Sequence, residues 1–449
     1  MSRVCAVAAV GGLLFGYDTA VISGAIGFLQ THFELNPAMK GWTASSALAG
    51  CVIGAVFAGV LNDRLGRRKV LILSAIAFLV SAIGTALPNT LTTFIIFRFI
   101  GGMGVGAASM TGPLYIAEIS PARIRGRMVS WNQFAIIFGI VAVYFVNYFI
   151  VHIPDDPTWN VTTGWRWMFG SEAIPATLFL LLLLFVPESP RWLTKQGRED
   201  KALAILSQVE GSDYARSEVD AIKANLSEES NSIGQLLQPG LRIAIVIGIV
   251  LAVIQQVCGI NVFLYYGPEI FKTISSSKVD VALLQQIVVG AVMLLFTVTA
   301  TWTVDRIGRK PLMIFGFFGM LISLTGLGVA AYMNQISAWT LIFILGFIAC
   351  FALSAGPVTW VILSEIFPTK VRGRAMATAT VCLWFANLAI SQTFPMMDEN
   401  AWLVEKFNHS FPFWVYAIFC LASVIFIWRC VPETKGKTLE QIEKQWLKD

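Results

Sequence analysis

Twelve runs of almost pure hydrocarbon side chains follow one another along this chain. They lie at 4–31, 41–61, 70–88, 91–117, 128–151, 166–186, 241–272, 281–303, 311–333, 337–364, 374–397 and 411–431. Runs of about 20 apolar residues cross ~30 Å of bilayer hydrocarbon. In that medium each backbone N–H and C=O must be satisfied within its own segment, so runs of this length can only be helices. The expected fold is an all-α membrane protein with twelve transmembrane helices. Several runs exceed what a straight crossing needs, so tilt or an internal break is expected in them. Composition agrees, because charged residues make up only 13% of the chain, about half the share of a soluble domain.

The loops between these runs repeat. Asp63-Arg64-Leu65-Gly66-Arg67-Arg68 in the first half returns as Asp305-Arg306-Ile307-Gly308-Arg309-Lys310 in the second. Glu118 stands seven residues before Arg125, and Glu365 seven before Arg372. Pro187-Glu188-Ser189 closes the first half and Pro432-Glu433-Thr434 the second. The offsets are 242, 247 and 245 (305 minus 63, 365 minus 118, 432 minus 187). Two parallel repeats of six spans are the mark of a secondary transporter, with a substrate site between the repeats. The expected organisation is one half at 1–186, a linker at 187–240, a second half at 241–431 and a tail at 432–449.

Basic residues set the expected orientation. With both termini in the cytoplasm, about 26 of the 32 Lys and Arg fall inside; Lys40, Arg166, Lys272, Lys278 and Lys406 fall outside, and Arg98 lies within a span. This is a strong positive-inside bias. The net charge of +5 therefore reflects topology, and nothing points to nucleic acid. The seven cysteines lie in spans without metal spacing and are read as small packing residues. The first span starts almost at Met1 with no cleavage site behind it, as in a retained helix. Neither a metal nor another cofactor is expected, nor is any enzymatic activity.

The linker is the one long polar segment. Leu203, Ile205, Leu206 and Val209 imply short amphipathic helices there, either a solvated connector or a bracket between the halves. A last amphipathic piece is expected at Leu439–Leu447. Glycines inside the second and fourth spans, Gly50, Gly54, Gly59, Gly101, Gly102, Gly104 and Gly106, allow close helix approach in lipid. No strand precedes the Gly101–Gly106 run, which argues against a nucleotide loop.

Together these motifs identify a resemblance. Gly11-Gly12-Leu13-Leu14-Phe15-Gly16-Tyr17-Asp18, the Asp63–Arg68 loop, Arg98 with its glycines, Pro187-Glu188-Ser189-Pro190-Arg191-Trp192, Gln255-Gln256, Asp305–Lys310 and Pro432-Glu433-Thr434-Lys435-Gly436 resemble the sugar porter family of the major facilitator superfamily. The likeness covers essentially the whole chain and is nearest to the family's bacterial xylose–proton symporters. It implies the major facilitator fold and a proton-coupled importer of D-xylose or a related pentose or hexose such as D-glucose. A facilitative uniporter and a non-transporting sugar sensor are the alternatives. It also implies a multi-pass protein of the bacterial inner membrane, working as a monomer in the bilayer.

Two intramembrane charges stand out, since such residues are functional by default. Asp18 lies in the middle of the first span and Arg98 about two turns into the fourth. As a separable pair they are suited to proton coupling, and as a permanent pair they would tie two helices. In the family, proton-coupled members carry Asp at this position and facilitators an uncharged residue. Glu172 and Asp398, near span ends, read as interfacial.

A sugar needs amides that both donate and accept, with aromatic faces for its C–H surface. The seventh span offers Gln255, Gln256, Asn261 and Tyr265 together, and Gly259 and Gly267-Pro268 can loosen the helix so that they converge. Phe15, Gln133, Trp360, Trp384 and Asn387 complete the set. The resemblance maps sugar contacts onto Gln133, Gln255, Gln256, Asn261, Trp360, Trp384 and Asn387. Three positions depart from the xylose symporters: Ile140, Met293 and Leu383 stand where those have amides, which makes the cavity more apolar. The repeated charges Glu118, Arg125, Glu188, Arg191, Arg309, Glu365, Arg372 and Glu433 are expected to form a cytoplasmic gate, as the family's networks do. As plain topological charge, the acids would have no purpose.

Overall fold

The computed structural model describes residues 2–121, 124–154, 156–228, 241–275, 279–335, 338–367 and 372–435. The expected tail piece at Leu439–Leu447 lies outside them. Among the described residues the chain is helical, without strands, and twelve helices are long and apolar enough to cross a membrane. Their large apolar side chains often point outwards: Phe185, Ile174, Phe315, Ile342 and Ile418 are each more than 60% exposed. In water such a surface would aggregate, whereas in lipid it is ordinary.

The expected breaks are present. The seventh span is two helices, Leu241–Val257 and Ile260–Ser275, parted at Gly259, whose φ of +90° favours glycine. The second of these runs through Pro268 without stopping. Proline lacks the N–H that would have bonded the carbonyl four residues back. That carbonyl, Leu264 O, instead accepts from the Tyr144 hydroxyl at 3.1 Å and from Gln286 Nε2 at 3.3 Å. The tenth span breaks at Ser354, between Leu341–Leu353 and Ala355–Ile366. The sixth begins at Asn160 with a π-helical stretch, Asn160–Gly164.

The chain forms two compact units. The first gathers Met1–Thr19, Ala49–Ala142 and Phe169–Ser232; the second gathers Ala20–Leu48, Val143–Met168 and Ile233–Asp449. In the first unit, glycine governs the packing of the second and fourth spans. A Cβ on Gly54 would lie 2.2 Å from Met103 O, and one on Gly106 2.2 Å from Cys51 O. The linker helices Pro190–Lys195, Glu199–Glu210 and Ser212–Glu228 belong to the same unit. They bury Trp192, Leu193, Ala202, Leu206, Ala215 and Val219 among themselves. Trp192 Nε1 donates to Asp63 O at 3.0 Å, which fastens them to the last turn of the second span.

Candidate substrate and proton sites

Asp18 and Arg98 meet inside the first unit, both essentially without solvent exposure. Arg98 Nη1 donates to Asp18 Oδ1, and Nη2 donates to the Asp18 backbone oxygen at 3.2 Å. The glycines of the fourth span make room for this. A Cβ on Gly101 would fall 2.3 Å from Ser81 Oγ and 3.5 Å from Asp18 Oδ2. The guanidinium also lies 5.3 Å from the Phe169 ring centroid, a cation–π distance.

Glu172 corrects the expectation of an interfacial acid. It is 1% exposed and lies within electrostatic reach of both Arg98 and Asp18. The cause is the early start of the sixth span at Asn160, which sets Glu172 near the middle of that span. Two acids therefore lie near one cation in a dry site. Asp398, by contrast, is partly exposed at the end of the eleventh span, 3.1 Å from His409 Nδ1. The Asp398 carboxylate holds the His409 imidazolium above its ordinary value, against the opposing effect of burial.

The amides of the seventh span converge in the second unit. Gln255 Nε2 donates to Ala355 O and Gly356 O, both at 3.0 Å, beside the break in the tenth span. Gln256 Nε2 donates to Gln255 Oε1 at 3.2 Å, and Asn261 Nδ2 donates to Gln256 Oε1. Asn387 Nδ2 donates to the Tyr265 hydroxyl at 3.4 Å. Trp384 is buried in the eleventh span, and Trp360 is half-buried in the tenth. Gln133 and Phe15 are half-buried side chains of the first unit. Met293 and Leu383 are buried in the second unit and Ile140 in the first.

The repeated charges form the same clasp in each unit. In the first, Arg67 Nε and Nη2 each lie 2.8 Å from the Glu118 carboxylate, which also accepts from Ser189 Oγ. Glu188 Oε1 accepts the backbone N–H of Arg67, Arg68 and Ser189 at 2.9, 3.1 and 2.8 Å. In the second, Arg309 pairs with Glu365 at 3.0 Å, and Thr434 donates to Glu365. Glu433 accepts the N–H groups of Arg309, Lys310 and Lys435 at 3.1, 3.0 and 2.8 Å. Each glutamate thus caps the N-terminus of a span, Arg67–Ala86 or Arg309–Tyr332, where free N–H groups and the helix dipole favour an anion. Gly66 and Gly308 precede these helices with φ of +90° and +106°. A Cβ on Gly66 would stand 2.5 Å from Glu188 Oε2.

This capping role was hidden in sequence. The signal for it was the pairing of each glycine with a Pro-Glu over 120 residues downstream. Arg191 is half-buried, and the side chains of Arg125 and Arg372 lie outside the described residues.

Burial raises the Glu433 carboxyl, but the four backbone N–H groups of Lys435, Arg309, Lys310 and Thr434 outweigh it and leave it below its ordinary value. The clasp is therefore complete above the usual carboxylate range and is lost only as pH falls through the lowered value. Glu433→Gln and Glu188→Gln should each weaken charge-assisted bonds worth ~1.5–3 kcal/mol apiece. Both should lower thermal stability in detergent by similar amounts, as equivalent positions of a repeat. Unchanged melting of either variant would remove the capping role from that residue.

The chain matches the profile of the family described as "Sugar (and other) transporter" over residues 4–446. It is 48% identical to the D-xylose-proton symporter of Escherichia coli K12, covering 98% of this chain and 94% of that protein. It is 44% identical to the arabinose-proton symporter of Bacillus subtilis, covering 99% and 95%. A structure described as a partially occluded inward open conformation of the xylose transporter XylE from E. coli superposes with a TM-score of 0.87 at 45% identity, covering 97% of this chain and 99% of the other. Twelve apolar spans, two repeated clasps, a buried acid–arginine site and likeness over the full length lead to one conclusion: the chain belongs to the sugar transporter family.

Proposed function

We propose that this protein imports a monosaccharide, D-xylose or a related pentose or hexose, together with a proton by alternating access. The observation that carries the coupling is the buried site of Asp18, Arg98 and Glu172, two acids against one cation. Such a site can bind a proton in one facing state and release it in the other, provided the Asp18–Arg98 pair separates between them. The sugar would be held by the amide relay of Gln255, Gln256 and Asn261, by Gln133 and Asn387, and by the faces of Trp360, Trp384 and Phe15. Both Gln255 donors are engaged by carbonyls of the tenth span, so it contributes mainly by orienting Gln256.

The halves 1–186 and 241–431 are the moving bodies in this reading, joined by 187–240. The protein acts as a monomer in the bacterial inner membrane with both termini in the cytoplasm, where the clasp residues form the gate. The xylose and arabinose symporters among its relatives support this class of substrate.

A facilitator has one specific point in its favour. Ile140, Met293 and Leu383 are apolar and buried, and the chain is 37% identical to the glucose facilitated diffusion protein of Zymomonas mobilis over 99% of its length. Calorimetry with D-xylose, L-arabinose and D-glucose on the purified protein tests the substrate class. Saturable binding of at least one of the three is expected; heat from none of them would contradict the reading.

A further inference from the structure

Lys40 sits in an unusual place for a lysine. It lies in the first turn of the second-span helix, Pro37–Leu65, where the helix dipole disfavours a cation. It is one of the few basic residues on the side opposite the repeated loops, and it is only 5% exposed. A buried ammonium persists only when it is paired.

Its partners come from the last six spans. Lys40 Nζ lies 2.7 Å from Glu399 Oε1, just past the eleventh span, and 3.9 Å from Glu269 Oε2, in the seventh. Gln30 Nε2 approaches the other Glu399 oxygen at 3.4 Å, and Lys272 pairs with Glu269 at 2.7 Å. The cluster is neutral, two lysines against two glutamates.

The backbone around it is closed as tightly. Ser45 Oγ donates to Gln392 Oε1 at 2.9 Å, and Gln392 Nε2 donates to Ala38 O at 3.0 Å. A Cβ on Gly41 would lie 2.4 Å from Gln392 O, and one on Gly27 would lie 2.3 Å from Glu269 Oε1. The first and second spans are thus pinned to the seventh and eleventh at one end. All of these residues belong to the second unit.

We infer that Lys40, with Glu399 and Glu269, is an ionic latch that closes the outer mouth of the carrier. The inference rests on the proposed orientation, which puts this end outside. A sugar arriving from outside can enter only if these span ends part, and parting them separates the lysine from both carboxylates. The latch therefore adds to the stability of the outward-closed state and is absent from the outward-open one. It is a counterpart, on the opposite face, of the expected cytoplasmic gate, and it uses residues outside the repeated motifs.

The test places spin labels at Met39 and Asn400, both on the exposed surface, and measures the distance between them in proteoliposomes. Glu399→Gln and Lys40→Met should each raise the long-distance population by roughly tenfold, the effect of one lost charge-assisted bond. The exchanged pair Lys40→Glu with Glu399→Lys should restore the original distribution, which a merely structural lysine would not do. Wild-type distributions in both single variants, or an exchanged pair no better than the singles, would overturn the latch. A membrane-impermeant reductant reports the side separately. Labels bleached from outside agree with the orientation. Labels bleached only from inside would reverse the orientation while leaving the distance result to judge the latch.

Discussion

Asp18→Asn is expected to abolish sugar accumulation driven by a pH gradient while sparing sugar binding and exchange between two sugar pools. Asparagine keeps the shape of the side chain and an oxygen for Arg98, but it cannot take up or release a proton. Uphill transport needs a group that binds the proton differently in the two facing states, and the difference in affinity sets the work available. Arg98 would keep the backbone oxygen at position 18 and the face of Phe169 as partners in the variant. The protein should therefore fold, bind sugar and equilibrate it to equal concentrations on both sides. A variant that still concentrates sugar against its gradient would move the coupling away from Asp18.

The second large effect is expected at Gln256. Its amide is the middle of a relay, donating to Gln255 Oε1 and accepting from Asn261. Gln256→Ala removes the proposed contact to a sugar hydroxyl and also takes the donor from Gln255 Oε1 and the acceptor from Asn261 Nδ2. Each unsatisfied buried group costs ~1–3 kcal/mol, so affinity should fall roughly 5- to 150-fold. Gln256→Glu is informative beside it. It retains the acceptor for Asn261 but loses the donor to Gln255, so a smaller loss than in the alanine variant would show that the orientation of Asn261 matters. Calorimetric affinity equal to wild type in the alanine variant would take the relay out of the sugar site.

Much of this was legible in the chain itself. The twelve spans followed from apolar runs alone, since a bilayer allows few alternatives to a helix. The break in the seventh span was marked by Gly259, where the backbone adopts a conformation that other residues resist. Asp18 and Arg98 announced themselves as charges in hydrocarbon.

What stayed hidden depended on three-dimensional closeness. Glu172 looked interfacial because the apolar run appeared to begin at residue 166, whereas the helix starts with polar residues at Asn160. Glu188 and Glu433 read as gate charges; their caps on distant helix ends need atoms at least 120 residues apart in sequence. Lys40 was visible as an exception to the charge bias, but its partner Glu399 is 359 residues away (399 minus 40), and no periodicity links the two. Local patterns report the helix a residue belongs to, while a site made by several helices is fixed by packing.

The most direct measurement of the central claim is the pH of a weakly buffered medium around proteoliposomes when sugar is added. With no gradient imposed, inward sugar flow through the wild-type protein should carry protons with it and make the medium more alkaline, and Asp18→Asn should give sugar entry without that change. Sugar entry through the wild-type protein with a constant external pH would contradict proton coupling and identify a facilitator.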